Sequence, residues 1–127
     1  MSRIVLIDDN DAFRTTVHGM LVAAGHEVEE ADGGKAGLVC YRRQPSDLVI
    51  TDMLMADFDG VETIRELRRH DAGVKVIAMS TGGRRATPYY LEMALKWGAC
   101  RFLAKPFSRQ ELDVAVAEVL AIGPVRS

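Results

Sequence analysis

The sequence predicts a single α/β domain in which short parallel β-strands alternate with α-helices. Its 127 residues suit one domain with a sizeable core. Apolar and β-branched runs, which favour strands, recur between segments that carry helix-capping residues. The five predicted strands are residues 3–7, 27–31, 48–51, 74–79 and 101–103. Such alternation is typical of a doubly wound parallel sheet with right-handed crossovers and helices on both faces.

The predicted strands differ in their hydrophobic patterns, and the difference indicates where each strand lies in the sheet. Runs 3–7, 48–51 and 74–79 are nearly all apolar, as expected for strands covered by helices on both faces. Run 27–31 alternates apolar with acidic residues, which is typical of a strand at the edge of a sheet.

Glycine and proline predict where the intervening helices end and begin. Gly25, Gly73 and Gly98 follow helical patterns, at positions where a residue with left-handed backbone often ends a helix. Thr87-Pro88 predicts the start of the fourth helix, with Thr87 as the N-cap and Pro88 in the first turn.

Two further segments predict helix starts. Ser108 and Glu111 have the spacing of a capping box, and the helix after them has a predicted apolar face of Leu112, Val116, Val119 and Leu120. The segment DGGKAG (32–37) is rich in glycine but lacks the GxxxxGK[ST] spacing of a phosphate-binding loop. We therefore interpret it as the start of the second helix.

Composition argues against several classes of protein. The formal net charge of −2 gives no general attraction to nucleic acid or to an anionic membrane. No apolar run approaches the roughly 20 residues that a membrane span needs. The start MSRIVLIDD becomes acidic too early for a secretory signal, so we expect a cytoplasmic location. The two cysteines and three histidines have no metal-ligand spacing and are interpreted as packing or surface residues: Cys40, Cys100, His18, His26 and His70.

Polar residues follow four of the five predicted strands. Asp8 and Asp9 follow the first strand, Asp52 the third, Ser80 the fourth and Lys105 the fifth. Because the carboxyl ends of parallel strands meet at one edge of the sheet, we expect these side chains to lie close together. An acidic residue after a strand is, taken alone, most often a helix cap or a solvated turn residue. The combination of all five is what predicts a functional site.

Three neighbouring carboxylates would repel one another unless a cation offsets their charge. A pair about 4 Å apart costs on the order of 4 kcal/mol at an effective dielectric constant near 20. Oxygen ligands alone suit a hard cation such as Mg²⁺, which commonly links carboxylates to phosphoryl oxygens. A phosphoryl group on Asp52 would need cations and donors on its oxygens, and Lys105 and Ser80 could supply them. Aspartate is also a competent nucleophile for forming an aspartyl-phosphate.

Four motifs together resemble the receiver domain of response regulators, of the chemotaxis-regulator type. The motifs are LIDDN (6–10), DLVITDMLMADFDG (47–60), VIAMS (76–80) and GACRFLAKPF (98–107). The resemblance spans almost the whole chain. It implies a flavodoxin-like (βα)5 fold with strand order 2-1-3-4-5, a receiver domain over 1–122, and a tail or linker over 123–127.

The resemblance also implies the roles of the site residues. Asp52 would accept a phosphoryl group from a phosphohistidine on a sensor histidine kinase or phosphotransfer protein, and Ser80 and Lys105 would contact that group. The implied Mg²⁺ ligands are Asp8, Asp9, Asp52 and the main-chain carbonyl of Leu54. The chain would act in signalling and would assist only its own phosphorylation and dephosphorylation.

The resemblance further implies a conformational switch. Ser80 would move toward the phosphoryl group, and Phe102 would turn inward to fill the space that it leaves. The simpler interpretation of Phe102 is an ordinary core aromatic residue. The switch would change a partner-binding surface on the fourth and fifth helices and the strand between them, where a phosphorylation-dependent dimer or a downstream protein could bind. Lys105-Pro106 matches a bond that is usually cis in the family.

The sequence departs from the family pattern in two loops. Ala56 stands where the family usually has proline, so the loop after Asp52 could be more mobile. Thr81 replaces the usual small residue after Ser80, in a loop that is also longer than typical. Gly82 and Gly83 could form a hinge there, and the following arginines, Arg84 and Arg85, could contact a phosphate or a partner, or the loop could simply be solvated.

Two other functions are compatible with parts of the sequence. An aspartyl-phosphate phosphatase would also use carboxylates and Mg²⁺, but it needs a second acid two residues after the nucleophile, where this chain has Leu54. The receiver half of a larger regulator would look the same over these residues, and Gly123-Pro124 lies where a linker would begin. Trp97, near the predicted end of the fourth helix, could serve an interface or plain packing.

Overall fold

The computed structural model describes residues 2–55, 59–80 and 83–123, and for residues 83–88 and 90 it describes the backbone alone. Five strands alternate with five helices along the chain. The strands are β1 (Arg3–Ile7), β2 (Glu27–Ala31), β3 (Leu48–Asp52), β4 (Val76–Ser80) and β5 (Arg101–Ala104). The helices are α1 (Asp11–Ala23), α2 (Gly34–Arg43), α3 (Gly60–His70), α4 (Gly83–Trp97) and α5 (Arg109–Leu120).

The strands form one parallel sheet in the order β2-β1-β3-β4-β5. This order confirms the predicted fold class and places β2 at an edge, as its alternating pattern indicated. The three apolar strands occupy the middle of the sheet, and every residue of β3 and β4 is buried. From β1 the chain adds β2 on one side and then β3, β4 and β5 on the other side. The topological switch point therefore lies between the carboxyl ends of β1 and β3.

Each face of the sheet carries its own hydrophobic core, because successive residues of a strand point to opposite faces. In β1, Ile4 and Leu6 face the core that α1 and α5 cover. Val5 and Ile7 face the core that α2, α3 and α4 cover. Both cores are almost fully closed to solvent, so the sheet is a rigid base for the residues at its ends.

Helix capping follows the predicted pattern at several places. Ser108 and Glu111 form the capping box that opens α5, and Leu112, Val116 and Val119 of that helix are buried. The second helix begins at Gly34, inside the DGGKAG segment. Gly25 and Gly98 have left-handed backbone, with φ of +93° and +112°. Among the described residues, none of the helices has both the length and the hydrophobicity that crossing a bilayer requires.

Two predicted helix boundaries were wrong. Gly73 does not end α3 with left-handed backbone, because the helix ends at His70 and the Asp71 carboxylate accepts a hydrogen bond from the Gly73 N–H (3.0 Å). The fourth helix begins at Gly83 instead of Thr87-Pro88. Pro88 has no main-chain N–H to donate, but the residues before it still have helical backbone, so the helix starts earlier than the proline predicts.

The predicted strand boundaries differ from the observed ones by one or two residues. The Val74 N–H donates to the Asp71 carbonyl in the turn after α3, so β4 begins at Val76. Asp52 is itself the last residue of β3, and β5 extends to Ala104. The predicted domain limits, 1–122 and 123–127, stay a prediction. Ala56, Thr81, Gly82 and Pro124 lie outside the described residues, as do the side chains of Arg84 and Arg85.

Candidate phosphoryl-acceptor site

The carboxyl ends of β1 and β3 bring two buried aspartates together. Asp8 directly follows β1, and Asp52 ends β3, whose Thr51 is paired with Ile7. Asp8 is fully buried and Asp52 is 3% exposed, whereas the neighbouring Asp9 is exposed. One carboxylate oxygen from each of the three residues lies within 4.8 Å of the others. The predicted clustering of the three acids is therefore present in the structure.

Lys105 lies between the two buried carboxylates. Its Nζ is 2.7 Å from Asp8 Oδ2 and 3.1 Å from Asp52 Oδ2. The lysine comes from the loop after β5, where the Lys105-Pro106 peptide bond is cis and the Lys105 N–H donates to the Ser80 carbonyl (2.9 Å). The side chain is 3% exposed, so its ammonium group neutralises charge that water cannot screen.

The second oxygen of each buried carboxylate accepts a main-chain hydrogen bond. Asp8 Oδ1 accepts from the Asn10 N–H (2.9 Å), and Asp52 Oδ1 accepts from the Leu54 N–H (3.2 Å). These bonds fix the orientation of both carboxylates relative to the end of the sheet. The predicted role of the Leu54 carbonyl as a metal ligand stays a prediction.

Gly60 permits the close approach of α3 to the end of β3. A Cβ atom on Gly60 would lie 2.5 Å from Met53 Cα and 2.6 Å from the Asp52 carbonyl oxygen. The preceding residue, Asp59, caps α3 by accepting a hydrogen bond from the Glu62 N–H (2.9 Å). The Asp59-Gly60 pair thus begins a helix directly behind the backbone of Asp52.

The pKa of Asp52 is raised from its ordinary value of 3.8 to about 6. Burial is the largest cause, and the negative charge of Asp8 acts in the same direction. The Lys105 ammonium and the Leu54 N–H lower the pKa, but they offset only part of the effect. Asp52 is consequently ionised at neutral pH but titrates within the range of mildly acidic solutions.

Ser80 and Phe102 lie on the two strands next to this cluster. Ser80 ends β4 and is 1% exposed, and Phe102 lies on β5 opposite Ala78. Side chains two residues apart on a strand share a face, so Ser80 lies on the same face as Ala78 and Phe102. Phe102 is partly buried and packs on the core that α4 covers. The two predicted switch residues thus lie on one face of neighbouring strands, with Phe102 two residues before Ala104, the residue paired with Ser80.

Two residues of α1, Phe13 and Arg14, contact the site and were not predicted from the sequence. Lys105 Nζ lies 4.2 Å from the centroid of the Phe13 ring, and this ring meets Phe107 edge to face at 5.5 Å. Arg14 donates a hydrogen bond to the Asp8 carbonyl (2.6 Å). Asn10 caps α1 by accepting a hydrogen bond from the Phe13 N–H (2.9 Å), and this capping signal could have located the first turn at the site.

Comparisons with known proteins identify the family. A family model described as response regulator receiver domain matches residues 4–117. The chain belongs to this family. It is 28% identical to the chemotaxis protein CheY of Halobacterium salinarum, over 93% of this chain and 96% of that protein. It is 32% identical to the transcriptional regulatory protein AfsQ1 of Streptomyces coelicolor, over 97% of this chain but 53% of that protein.

Among solved structures, the receiver domain of the sensor histidine kinase PA1611 from Pseudomonas aeruginosa is similar. Its TM-score is 0.86 at 28% identity, with 95% of this chain and 98% of that chain covered, and it is described with a magnesium ion coordinated in its active site cleft. Receiver domains are signalling domains of two-component systems that interact with histidine kinases or phosphotransfer proteins. They bind Mg²⁺ at an acidic cluster, and this receiver domain has a group of three neighbouring aspartates, Asp8, Asp9 and Asp52.

Proposed function

We propose that this receiver domain accepts a phosphoryl group on Asp52 and so switches a partner-binding surface. The observation that carries the proposal is the paired arrangement of Asp52 and Asp8 around the Lys105 ammonium group at the end of the sheet. The site combines a nucleophile, a buried cation and nearby oxygen ligands, which are the components that phosphoryl transfer needs.

In the proposed reaction, an ionised oxygen of Asp52 attacks the phosphorus atom of a phosphohistidine. A P–O bond to Asp52 forms while the P–N bond breaks, and the departing imidazole takes up a proton. Because the pKa of Asp52 is about 6, the attacking carboxylate is ionised at neutral pH. Lys105 would move its hydrogen bonds toward a phosphoryl oxygen, since nearly two negative charges on three acceptor oxygens then replace the single charge of the Asp52 carboxylate. The Ser80 hydroxyl would donate a hydrogen bond to a second phosphoryl oxygen.

The donor set at this site fits Mg²⁺. The three carboxylates offer oxygen ligands within 4.8 Å of one another, and Asp9 is exposed so that water can complete the ligand shell. We assign the ligands to Asp8, Asp9, Asp52 and the Leu54 carbonyl. The chemistry that Mg²⁺ supplies in such a site is neutralisation of charge on the phosphoryl oxygens.

The proposed switch links the site to a surface of α4, β5 and α5. Removing Ser80 from its buried position would open space on the face that it shares with Phe102, and the partly buried ring could enter that space. Leu91 and Leu95 on α4 and Val114 on α5 are exposed hydrophobic residues on these elements. A downstream protein or a second copy of the chain would bind there after phosphorylation.

A second candidate is that the chain forms one part of a larger regulator. It spans about half of AfsQ1, a transcriptional regulator, but nearly all of CheY. The receiver chemistry is the same in both cases. The phosphatase alternative lacks support, because Leu54 occupies the position of the required second acid.

Intact-mass measurement after incubation with acetyl phosphate tests the proposal. We expect one phosphoryl adduct that requires Mg²⁺ and is absent in Asp52→Asn. Asp32→Asn is a matched control, because Asp32 is an exposed acid that directly follows β2 at the same edge. That variant should be phosphorylated like the unmodified protein.

A short-lived phosphate would escape this measurement, so beryllofluoride binding is measured in parallel. Trp97 is the single tryptophan of the chain and serves as the fluorescent reporter. A protein that gives neither an adduct nor a beryllofluoride response would contradict the proposal, as would an adduct that persists in Asp52→Asn.

A further inference from the structure

Three arginines and a tryptophan line an open cleft between the ends of two helices. Arg65, Arg68 and Arg69 come from the second half of α3, and Trp97 is the last residue of α4. The cleft has a volume of about 340 Å³. We call it the arginine cleft. Its charge is unusual for a chain whose net charge is −2.

Two of these arginines, Arg65 and Arg68, have no carboxylate partner among the described residues. Most arginines whose side chains the structure describes form ion pairs, namely Arg3, Arg14, Arg43, Arg69, Arg101 and Arg109. In the described part of the chain, no carboxylate lies within ion-pair distance of Arg65 or Arg68. Arg69 pairs with Glu66 of its own helix at 3.3 Å, an exposed pair that contributes little.

The two unpaired guanidinium groups are nevertheless held in place. Arg65 Cζ lies 4.8 Å from the centroid of the Trp97 ring, in cation–π contact. The Arg68 side chain fills space beside Gly98, where a Cβ atom would lie 2.4 Å from Arg68 Cδ. These arginine side chains have already lost conformational entropy. Binding an anion there therefore costs less free energy, because few side chains remain to be ordered.

The helix macrodipole does not account for this arrangement. Cations in the last turn of a helix are favourable, and this explains the presence of Arg68 and Arg69 near the end of α3. The effect does not require a particular side-chain position, and Arg65 lies outside the last turn. Neither the stacking on Trp97 nor the space at Gly98 follows from the dipole.

The arginine cleft lies at the opposite end of the sheet from Asp52. Helix α3 begins with Gly60 beside the backbone of Asp52 and ends at His70, and α4 likewise ends at Trp97. In a crossover the helix runs antiparallel to the strands, so both helices end at the amino edge of the sheet. A partner in the cleft would leave the phosphorylation site accessible.

We infer that the arginine cleft binds an acidic segment of a partner protein, with carboxylates on Arg65 and Arg68. Guanidinium groups match carboxylates with two parallel hydrogen bonds, and arginine and tryptophan are enriched among residues that dominate interfaces. A small anion in this open cleft would stay hydrated and screened by salt. A peptide segment would cover the cleft and exclude water, which strengthens the same ion pairs.

A synthetic peptide of glutamate and serine tests the inference, with binding followed by Trp97 fluorescence and by calorimetry. We expect the Arg65→Gln/Arg68→Gln double variant to bind this peptide about tenfold more weakly, because two charged hydrogen-bonding groups are lost. Arg42→Gln is the matched control, since Arg42 is an exposed arginine in the last turn of α2 and forms no ion pair with any residue that the structure describes. Its affinity should stay within about twofold.

Several results would overturn the inference. An equal loss in Arg42→Gln, or equal binding of a glutamine-for-glutamate peptide, would mean nonspecific attraction. Tighter binding of inorganic phosphate than of the glutamate peptide would indicate a small-anion site. The peptide should bind Asp52→Asn like the unmodified protein, so failure of the proposed phosphorylation leaves this test unaffected. Thermal unfolding of each variant verifies that it is folded.

Discussion

The two ends of the sheet carry charge clusters of opposite design. At the carboxyl end, Lys105 is buried between Asp8 and Asp52. At the amino end, Arg65 is exposed and has no carboxylate partner in the part of the chain that the structure describes. Both cations contact an aromatic ring, with Lys105 Nζ 4.2 Å from Phe13 and Arg65 Cζ 4.8 Å from Trp97.

The difference indicates what each cluster responds to. In the buried cluster one ammonium group, that of Lys105, offsets the charge of two carboxylates, so a metal ion or a phosphoryl group would change the local charge balance. In the arginine cleft only Arg69 has a carboxylate partner among the described residues, so a group from outside the chain could balance the charge of Arg65 and Arg68. A cation–π contact therefore holds a buried, paired lysine at one end of the sheet and an exposed arginine at the other.

Replacing each cation with methionine is the strongest test of this comparison. We expect Lys105→Met to lower the free energy of unfolding by about 3 kcal/mol at pH 8, because it leaves two carboxylates buried without a cation. The loss should shrink as pH falls from 8 toward 6, because Asp52 without the ammonium group that lowers its pKa becomes protonated at a higher pH in the variant than in the unmodified protein. Chemical denaturation with urea, without Mg²⁺, gives these values.

Arg65→Met is the matched control for Lys105→Met. Its cation is exposed and has no carboxylate partner in the described ranges, so we expect a loss of about 0.5 kcal/mol, close to the value of an exposed cation–π contact. Similar losses of unfolding free energy in both variants would contradict the comparison, because they would show that the buried lysine contributes no more to stability than the exposed arginine.

The pH dependence of stability separates the clusters further. Folding raises the pKa of Asp52 from 3.8 to about 6, so the folded state binds more protons than the unfolded state between these values. The contribution of Asp52 to the free energy of unfolding therefore falls as pH rises from about 4 to about 6. The total fall is on the order of 3 kcal/mol, from 1.36 kcal/mol per pKa unit.

Urea denaturation at a series of pH values, without Mg²⁺, measures this dependence as the difference between the unmodified protein and Asp52→Asn. The variant lacks the titrating group and should lack this slope. Affinity of the glutamate peptide for the arginine cleft should stay constant from pH 6 to 8, because arginine stays charged. If the difference in unfolding free energy between the unmodified protein and Asp52→Asn rose from pH 4 to pH 6, it would contradict the raised pKa of Asp52.

The sequence predicted the site at the carboxyl end better than the cleft at the amino end. Asp8, Asp52, Ser80 and Lys105 each follow or end a strand, and parallel topology alone brings such positions together. The ring of Phe13 under Lys105 comes from a helix face, which sequence spacing does not orient toward a particular strand loop. The contacts of Trp97 with Arg65 depend on how α4 packs against α3, and no short motif encodes that packing.

The helix boundaries show the same limit. Gly98 and Gly73 both follow helices and looked equivalent in sequence, yet only Gly98 has left-handed backbone. At Gly73 the Asp71 side chain forms a local hydrogen bond with the backbone, and this competes with the glycine cap. A local signal predicts a boundary only where no neighbouring side chain offers the backbone another partner.

Alanine at two left-handed glycines tests how the arginine cleft is held. Gly98→Ala and Gly25→Ala should each cost about 1–2 kcal/mol of unfolding free energy, from the unfavourable backbone conformation. A Cβ at Gly98 would also displace Arg68, whereas a Cβ at Gly25 meets nothing within 4 Å. Peptide affinity should therefore fall only in Gly98→Ala, and equal affinities would contradict the role of Arg68.

The smallest expected effect concerns the ring under Lys105. In Phe13→Leu both carboxylates still hold the ammonium group, so loss of the cation–π contact should slow phosphorylation by acetyl phosphate about threefold. Phe13→Tyr keeps the ring and should react at nearly the unmodified rate. The time course of the intact mass measures these rates. A rate in Phe13→Leu as low as that of Lys105→Met would mean that the ring, and not the carboxylates, determines where Lys105 lies.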